Sequence, residues 1–205
     1  MKINLHNNIS LQVVDENNLE LLRKLRNNPI IQKTLVQRGL VSCRDQIKWF
    51  DAIDKTKNIY FLVFIDNEIQ GYALLKNIKI KHSIGEPGIF LISNHFSSLG
   101  GILTISFLDF CHDFFAIKYF FGNVLNTNRQ ALTNYTFFDT ENEEKDNEII
   151  LQAKINYSEM KHINKLRKFI HKSDNYQRVF NISSLIIDLK RIPSYSILSN
   201  IKVDK

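Results

Sequence analysis

Residues 88–125 read GIFLISNHFSSLGGILTISFLDFCHDFFAIKYFFGNVL, and this stretch decides the fold. Gly88 to Ile92 is a short apolar run and predicts a strand. Ser97-Ser98-Leu99-Gly100-Gly101 predicts a glycine turn. Beyond it Ile102, Ile105, Leu108 and Phe115 fall on one side of a helix, and Tyr119 to Leu125 predicts the next strand. A helix that starts behind a glycine turn offers unpaired N–H groups and a favourable dipole to a phosphate. Glycine also lets the phosphate approach the backbone closely. An ordinary turn before a helix explains the same residues without a ligand.

Toward the N-terminus, Ile59 to Ile65 (IYFLVFI) and Ile69 to Ile78 predict two strands joined at Asp66-Asn67, a plausible two-residue hairpin loop. Gly71 lies inside the second strand. Earlier still, Ile9 to Val14 alternates as a first strand. Asp15 is expected to cap a helix through Leu19, Leu22 and Leu25. That helix should stop at Asn27-Asn28-Pro29, because the residue before proline is pushed out of the helical region. Ser42 followed by Asp45 is a capping signal for a second helix through Ile47, Phe50 and Ile53.

Toward the C-terminus, Arg129 to Phe137 reads as helix and Glu148 to Ile155 as a strand. The element order is β-α-α-β-β-β-α-β-α-β. This predicts an α/β protein of the α+β type, with a central, mixed, mostly antiparallel sheet flanked by helices. Residues 1–156 form the expected domain. Residues 157–205 form a basic C-terminal extension: an amphipathic helix near Tyr157 to His171, then the apolar segment Val179 to Leu189.

Charge is distributed unevenly. Residues 1–160 carry 17 Lys+Arg against 18 Asp+Glu, whereas residues 161–205 carry 10 against 3. A neutral body argues against a nucleic-acid-binding domain. The tail is expected to pack on the body or on a homodimer mate. Membrane-surface association and a contribution to substrate phosphates are the less favoured alternatives. Cys43 and Cys111 have no metal-ligand spacing, so no metal is expected, and they read as thiols in a reducing compartment. MKINLHNNIS lacks the apolar core of a secretory signal, and no apolar run approaches a membrane span, so a cytoplasmic location is expected.

Three features together resemble the GNAT superfamily of acetyltransferases across about Ile9 to Asn156. They are the hairpin with Gly71, the strand–glycine turn–helix unit, and Asn128-Arg129-Gln130-Ala131-Leu132-Thr133-Asn134-Tyr135. Leu25-Arg26-Asn27-Asn28-Pro29 and SCRDQIKWF (residues 42–50) further resemble the acetyltransferases of nucleotide-linked amino sugars, such as those of the pseudaminic acid pathway. Ser97 stands where the superfamily usually has Arg or Gln, and Gln46 stands where the subgroup often has His.

The resemblance implies acetyl-CoA as acetyl donor, a GNAT fold, and as acceptor the primary amine of an amino sugar, with a nucleotide-linked one favoured. Leu91, Ser97, Leu99, Gly100, Gly101, Ile102 and Asn128 would bind the donor. Tyr135 would be the general acid toward the thiolate, since a phenol is protonated at neutral pH. Glu86 is the expected base and His82 the second candidate. Trp49 would stack on the substrate or simply pack. His95 and His112 read as surface or packing residues. A protein amine as acceptor, or a GNAT-like binding module that has lost catalysis, are the competing readings.

Overall fold

The computed structural model describes residues 2–6, 9–92, 97–125, 127–128, 131 and 150–157. Among these residues seven strands form one sheet in sequence order: β1 (Lys2–His6), β2 (Ile9–Val13), β3 (Ile59–Ile65), β4 (Glu68–Lys79), β5 (Ile84–Leu91), β6 (Tyr119–Leu125) and β7 (Ile150–Asn156). Every neighbouring pair is antiparallel except β5–β6, which is parallel. The helices are α1 (Leu19–Arg26), α2 (Pro29–Gln32), α3 (Cys43–Ala52) and α4 (Ser97–Phe115). The mixed, mostly antiparallel α/β architecture is the one the sequence predicts.

The β3–β4 hairpin turns on Asp66 and Asn67, whose φ values of 52° and 65° mark a two-residue loop with both residues left-handed. That backbone twist matches the twist of the flanking strands. Strand β3 alternates its side chains between two buried faces, so IYFLVFI carries no charged or amide side chain. On one face Phe61 packs against Phe107 and Phe110 of α4, with ring centroids 5.9 Å away in each case. On the other face Leu62, Tyr72 and Leu74 pack with Leu22, Leu25, Ile31 and Phe50 from α1–α3. Each such fully buried apolar side chain contributes about 1.5–3 kcal/mol.

The caps account for the helix boundaries. Asn28 caps α2 by accepting from Ile30 N–H at 2.9 Å, with Pro29 in the first turn. The Ser42 hydroxyl accepts from Asp45 N–H at 3.1 Å and donates to the Asp45 carboxylate at 2.7 Å, which starts α3 as expected. Asp15 is not the cap of α1. It opens a turn by accepting from Asn17 N–H, and the helix begins four residues later, after Asn18. Buried Asn18 donates to the Val13 carbonyl at 2.9 Å. Strand β1 precedes the strand expected first. Its two apolar residues, Ile3 and Leu5, are buried. The expected helices over 129–137 and 157–171 and the segment 179–189 lie outside the described residues, apart from helical Ala131 and Tyr157. Among the described residues no helix is long and apolar enough to cross a membrane.

Candidate active site at the divergence of β5 and β6

The parallel contact between β5 and β6 is only two residues long, Ile84 with Tyr119 and Gly85 with Phe120. It is closed below by Ser83, whose carbonyl accepts from both Lys118 and Tyr119 N–H at 2.8 and 2.9 Å. From Glu86 onward β5 has no ladder partner on the β6 side, while its other edge stays paired to β4 as far as Leu91. The two strands therefore part, and a cleft opens toward their C-terminal ends. The start of α4 follows β5 at this end of the sheet.

The start of α4 differs from the expectation. The helix begins at Ser97, so Gly100 and Gly101 lie inside its first turns and not in a preceding loop. In α-helical geometry the amides of Gly101 and Ile102 bond back to the carbonyls of Ser97 and Ser98. The amides without an intrahelical partner are those of Ser97, Ser98 and Leu99. The glycines retain a separate role. A Cβ on either would meet nothing within 4 Å among the described residues. Helix amides beside two glycines with open space at their Cβ positions suit a diphosphate such as that of acetyl-CoA. Leu91 and Ile102 are half-buried and pack against the α4-side core. The side chains of Ser97 and Leu99, and all of His95 and Tyr135, lie outside the described residues.

Glu86 is the first residue of β5 beyond the last β6 pair, and it is 7% exposed. One carboxylate oxygen pairs with Lys76, its partner on β4, at 2.9 Å. The other accepts from the Asn77 side-chain amide at 2.7 Å. Asn77 reaches it because β4 bulges between Lys76 and Lys79, with Asn77 at φ 53°. The carboxylate is thus fixed at the apex of the cleft.

The α1–α3 face of the sheet continues from Glu86. Trp49 meets Tyr60 edge-on at 4.9 Å, and Tyr72 stacks on Phe90 at 4.7 Å. Burial is the main force raising the Tyr60 and Tyr72 phenol pKa values; the Arg26 charge opposes it at both, and the Glu86 carboxylate adds to it at Tyr60. Both hydroxyls are therefore donors at neutral pH. Arg26 stands over the Trp49 ring at 4.8 Å and donates to Gln46 Oε1 at 2.9 Å. Tyr60 and Tyr72 carry no sequence signal of a site, and Arg26 and Gln46, which lie in the two stretches that resemble the amino-sugar subgroup, are not among the expected site residues. Only the pairing of β3, β4 and β5 brings the two tyrosines and Glu86 together.

The remaining candidates are placed as follows. Exposed His82 ends the 3₁₀ turn Ile80–His82, on the closed side of the divergence. Asn128 accepts from Ala131 N–H at 3.1 Å, which is a capping contact. His112 sits beside Asp113 at 2.9 Å and stacks on Tyr157 at 3.8 Å, a packing role.

No protein-family model matches the sequence, and no curated protein matches it. Solved structures do match the fold. Spermidine N-acetyltransferase from Vibrio cholerae, in complex with CoA and spermine, is 17% identical, with a TM-score of 0.61 over 75% of this chain and 98% of that one. FdhC, a nucleotide-linked sugar GNAT, is 16% identical, with a TM-score of 0.64 over 82% of this chain and 96% of that one. Campylobacter jejuni N-acetyltransferase PseH is 18% identical, with a TM-score of 0.54 over 73% and 98%. The architecture they share with this chain is the GNAT fold.

Proposed function

We propose that the chain is an acetyl-CoA-dependent N-acetyltransferase that acylates the primary amine of an amino sugar, with a nucleotide-linked sugar as the favoured acceptor, in the cytoplasm. The observation that carries this reading is Glu86. A buried carboxylate stands at the point where β5 leaves β6. FdhC, a nucleotide-linked sugar GNAT that shares the fold, supports the sugar, while the spermidine N-acetyltransferase that shares it makes a polyamine the second acceptor to test.

Bound acetyl-CoA would supply the acyl thioester. The free amides of Ser97, Ser98 and Leu99 would hold its diphosphate, and Gly100 and Gly101 would let it approach. The amine must be neutral to attack, so Glu86 would take its proton, directly or through a water. Lys76 and Asn77 keep that carboxylate from rotating away. Tyr135 would deliver the proton to the departing thiolate. Holding amine and thioester in contact supplies the larger share of the rate, roughly 7–11 kcal/mol.

The test is calorimetry with acetyl-CoA, then coenzyme A release with UDP-linked 4-amino sugars, spermidine and a free peptide N-terminus as acceptors. Binding of acetyl-CoA with release on the sugar alone is expected. Release on the peptide or spermidine instead would replace the substrate reading. No heat at millimolar acetyl-CoA would end the enzyme reading.

A further inference from the structure

The end of α1 carries a cation that no carboxylate among the described residues neutralises. Arg26 is half-buried, and it meets a neutral amide and an aromatic ring. Among the described residues no carboxylate pairs with it; the acid of its own helix, Glu20, is held by Arg23 at 2.7 Å. A guanidinium that has left bulk water ordinarily finds a carboxylate or a phosphate.

Gln46 adds an independent observation. It is 1% exposed and turns its oxygen to Arg26, which leaves its Nε2 group buried with no partner. A buried donor with no acceptor is uncommon in a native structure. Tyr60 and Tyr72 present two more protonated hydroxyls on the same face, and the Arg26 charge reaches both. The cluster thus consists of donors around one uncompensated positive charge. Glu86, the acid on this face, is already engaged by Lys76 and Asn77.

We infer that Arg26, braced by Gln46 and Trp49, is a specificity-determining residue that binds a phosphate oxyanion of the acceptor substrate. The inference rests on the acceptor reading of this face given above. It also gives the selection a physical basis, because a polyamine would meet a fixed like charge where a nucleoside diphosphate meets its counter-ion. Gln46 positions the guanidinium, and Trp49 holds its plane.

The experiment measures UDP, uridine and inorganic diphosphate binding by calorimetry on the full chain without acetyl-CoA, for the native protein, Arg26→Gln and Gln46→Glu. UDP and diphosphate should bind and uridine should not. Arg26→Gln should weaken UDP about ten- to a hundredfold, the scale of a charge-assisted bidentate contact. Gln46→Glu keeps the shape of the side chain and places a carboxylate on Arg26. It should lose UDP to a similar degree, so the test survives if Arg26→Gln fails to fold. Acetyl-CoA affinity should stay within about twofold in both variants, since a distant site adds independently. UDP binding that is absent from the native protein, or unchanged in either folded variant, overturns the inference. A native protein that binds acetyl-CoA but not UDP sinks this inference alone. One that binds UDP through Arg26 but not acetyl-CoA sinks the acetyl-transfer reading alone.

Discussion

Two residues set the strongest constraints on the cleft. Glu86→Gln preserves size and an acceptor for Asn77, but the new side chain cannot take a proton. The expected outcome is a fall in kcat of roughly 10²–10⁴-fold with little change in the acetyl-CoA KM. Steady-state kinetics on the sugar acceptor measure it, and an unchanged kcat would reduce Glu86 to a partner of Lys76. Gly71 constrains the backbone. A Cβ there would lie 2.0 Å from the Phe90 carbonyl oxygen and 2.9 Å from the Leu91 Cα, both backbone atoms that cannot swing aside. Gly71→Ala should therefore push β5 off β4 and cost about 3 kcal/mol or more, at the upper end for overpacking. Urea unfolding measures the loss. Gly71 is legible in the sequence as a glycine inside a strand, and Glu86 as an acid entering one. The contact of Arg26 with Gln46 is not, because each belongs to a different helix and their meeting depends on how α1 lies against α3.

Among the elements, α4 separates stability from function. Glycine costs a helix interior up to about 1 kcal/mol relative to alanine. Gly100 and Gly101 are helical, and a methyl group on either would meet no other atom within 4 Å. Gly100→Ala and Gly101→Ala should leave the melting temperature unchanged or raise it by a few degrees. Each should weaken acetyl-CoA, because the methyl group enters the space over the helix start. Thermal melts beside calorimetry test both halves, and unchanged affinity would mean the glycines serve no ligand. Sequence misplaces the start of this helix because glycine pairs ordinarily punctuate turns, and only backbone geometry shows the helix running through them. The β3–β4 hairpin is legible because its loop residues and its apolar strands agree. Strand β1 is not, since two apolar residues among polar ones give too short a period to recognise; β2 supplies its register, with Ile3 opposite Leu11.

For the whole molecule, the sheet ends where the charge changes. Tyr157 follows β7 and donates to buried Asp109 of α4 at 2.7 Å, which ties the last strand to the helix behind the sheet. A protein ending at Met160 keeps this tie and the neutral body, and loses the 10 Lys+Arg and 3 Asp+Glu of residues 161–205. It should melt lower or lose solubility yet still transfer acetyl groups. Melting, liposome sedimentation and coenzyme A release measure the three properties. Unchanged melting with lost sedimentation on anionic vesicles would instead assign the tail to a membrane surface. The two-residue contact between β5 and β6 has a further consequence. It makes the sheet a pair of leaves bound along a very short spine, five strands on one side and an antiparallel pair on the other. A molecule lodged between the leaves would add a second binding to that spine. Ligand should then slow amide hydrogen exchange in β6 and β7 more than in β2 and β3, which are already stitched along their full length.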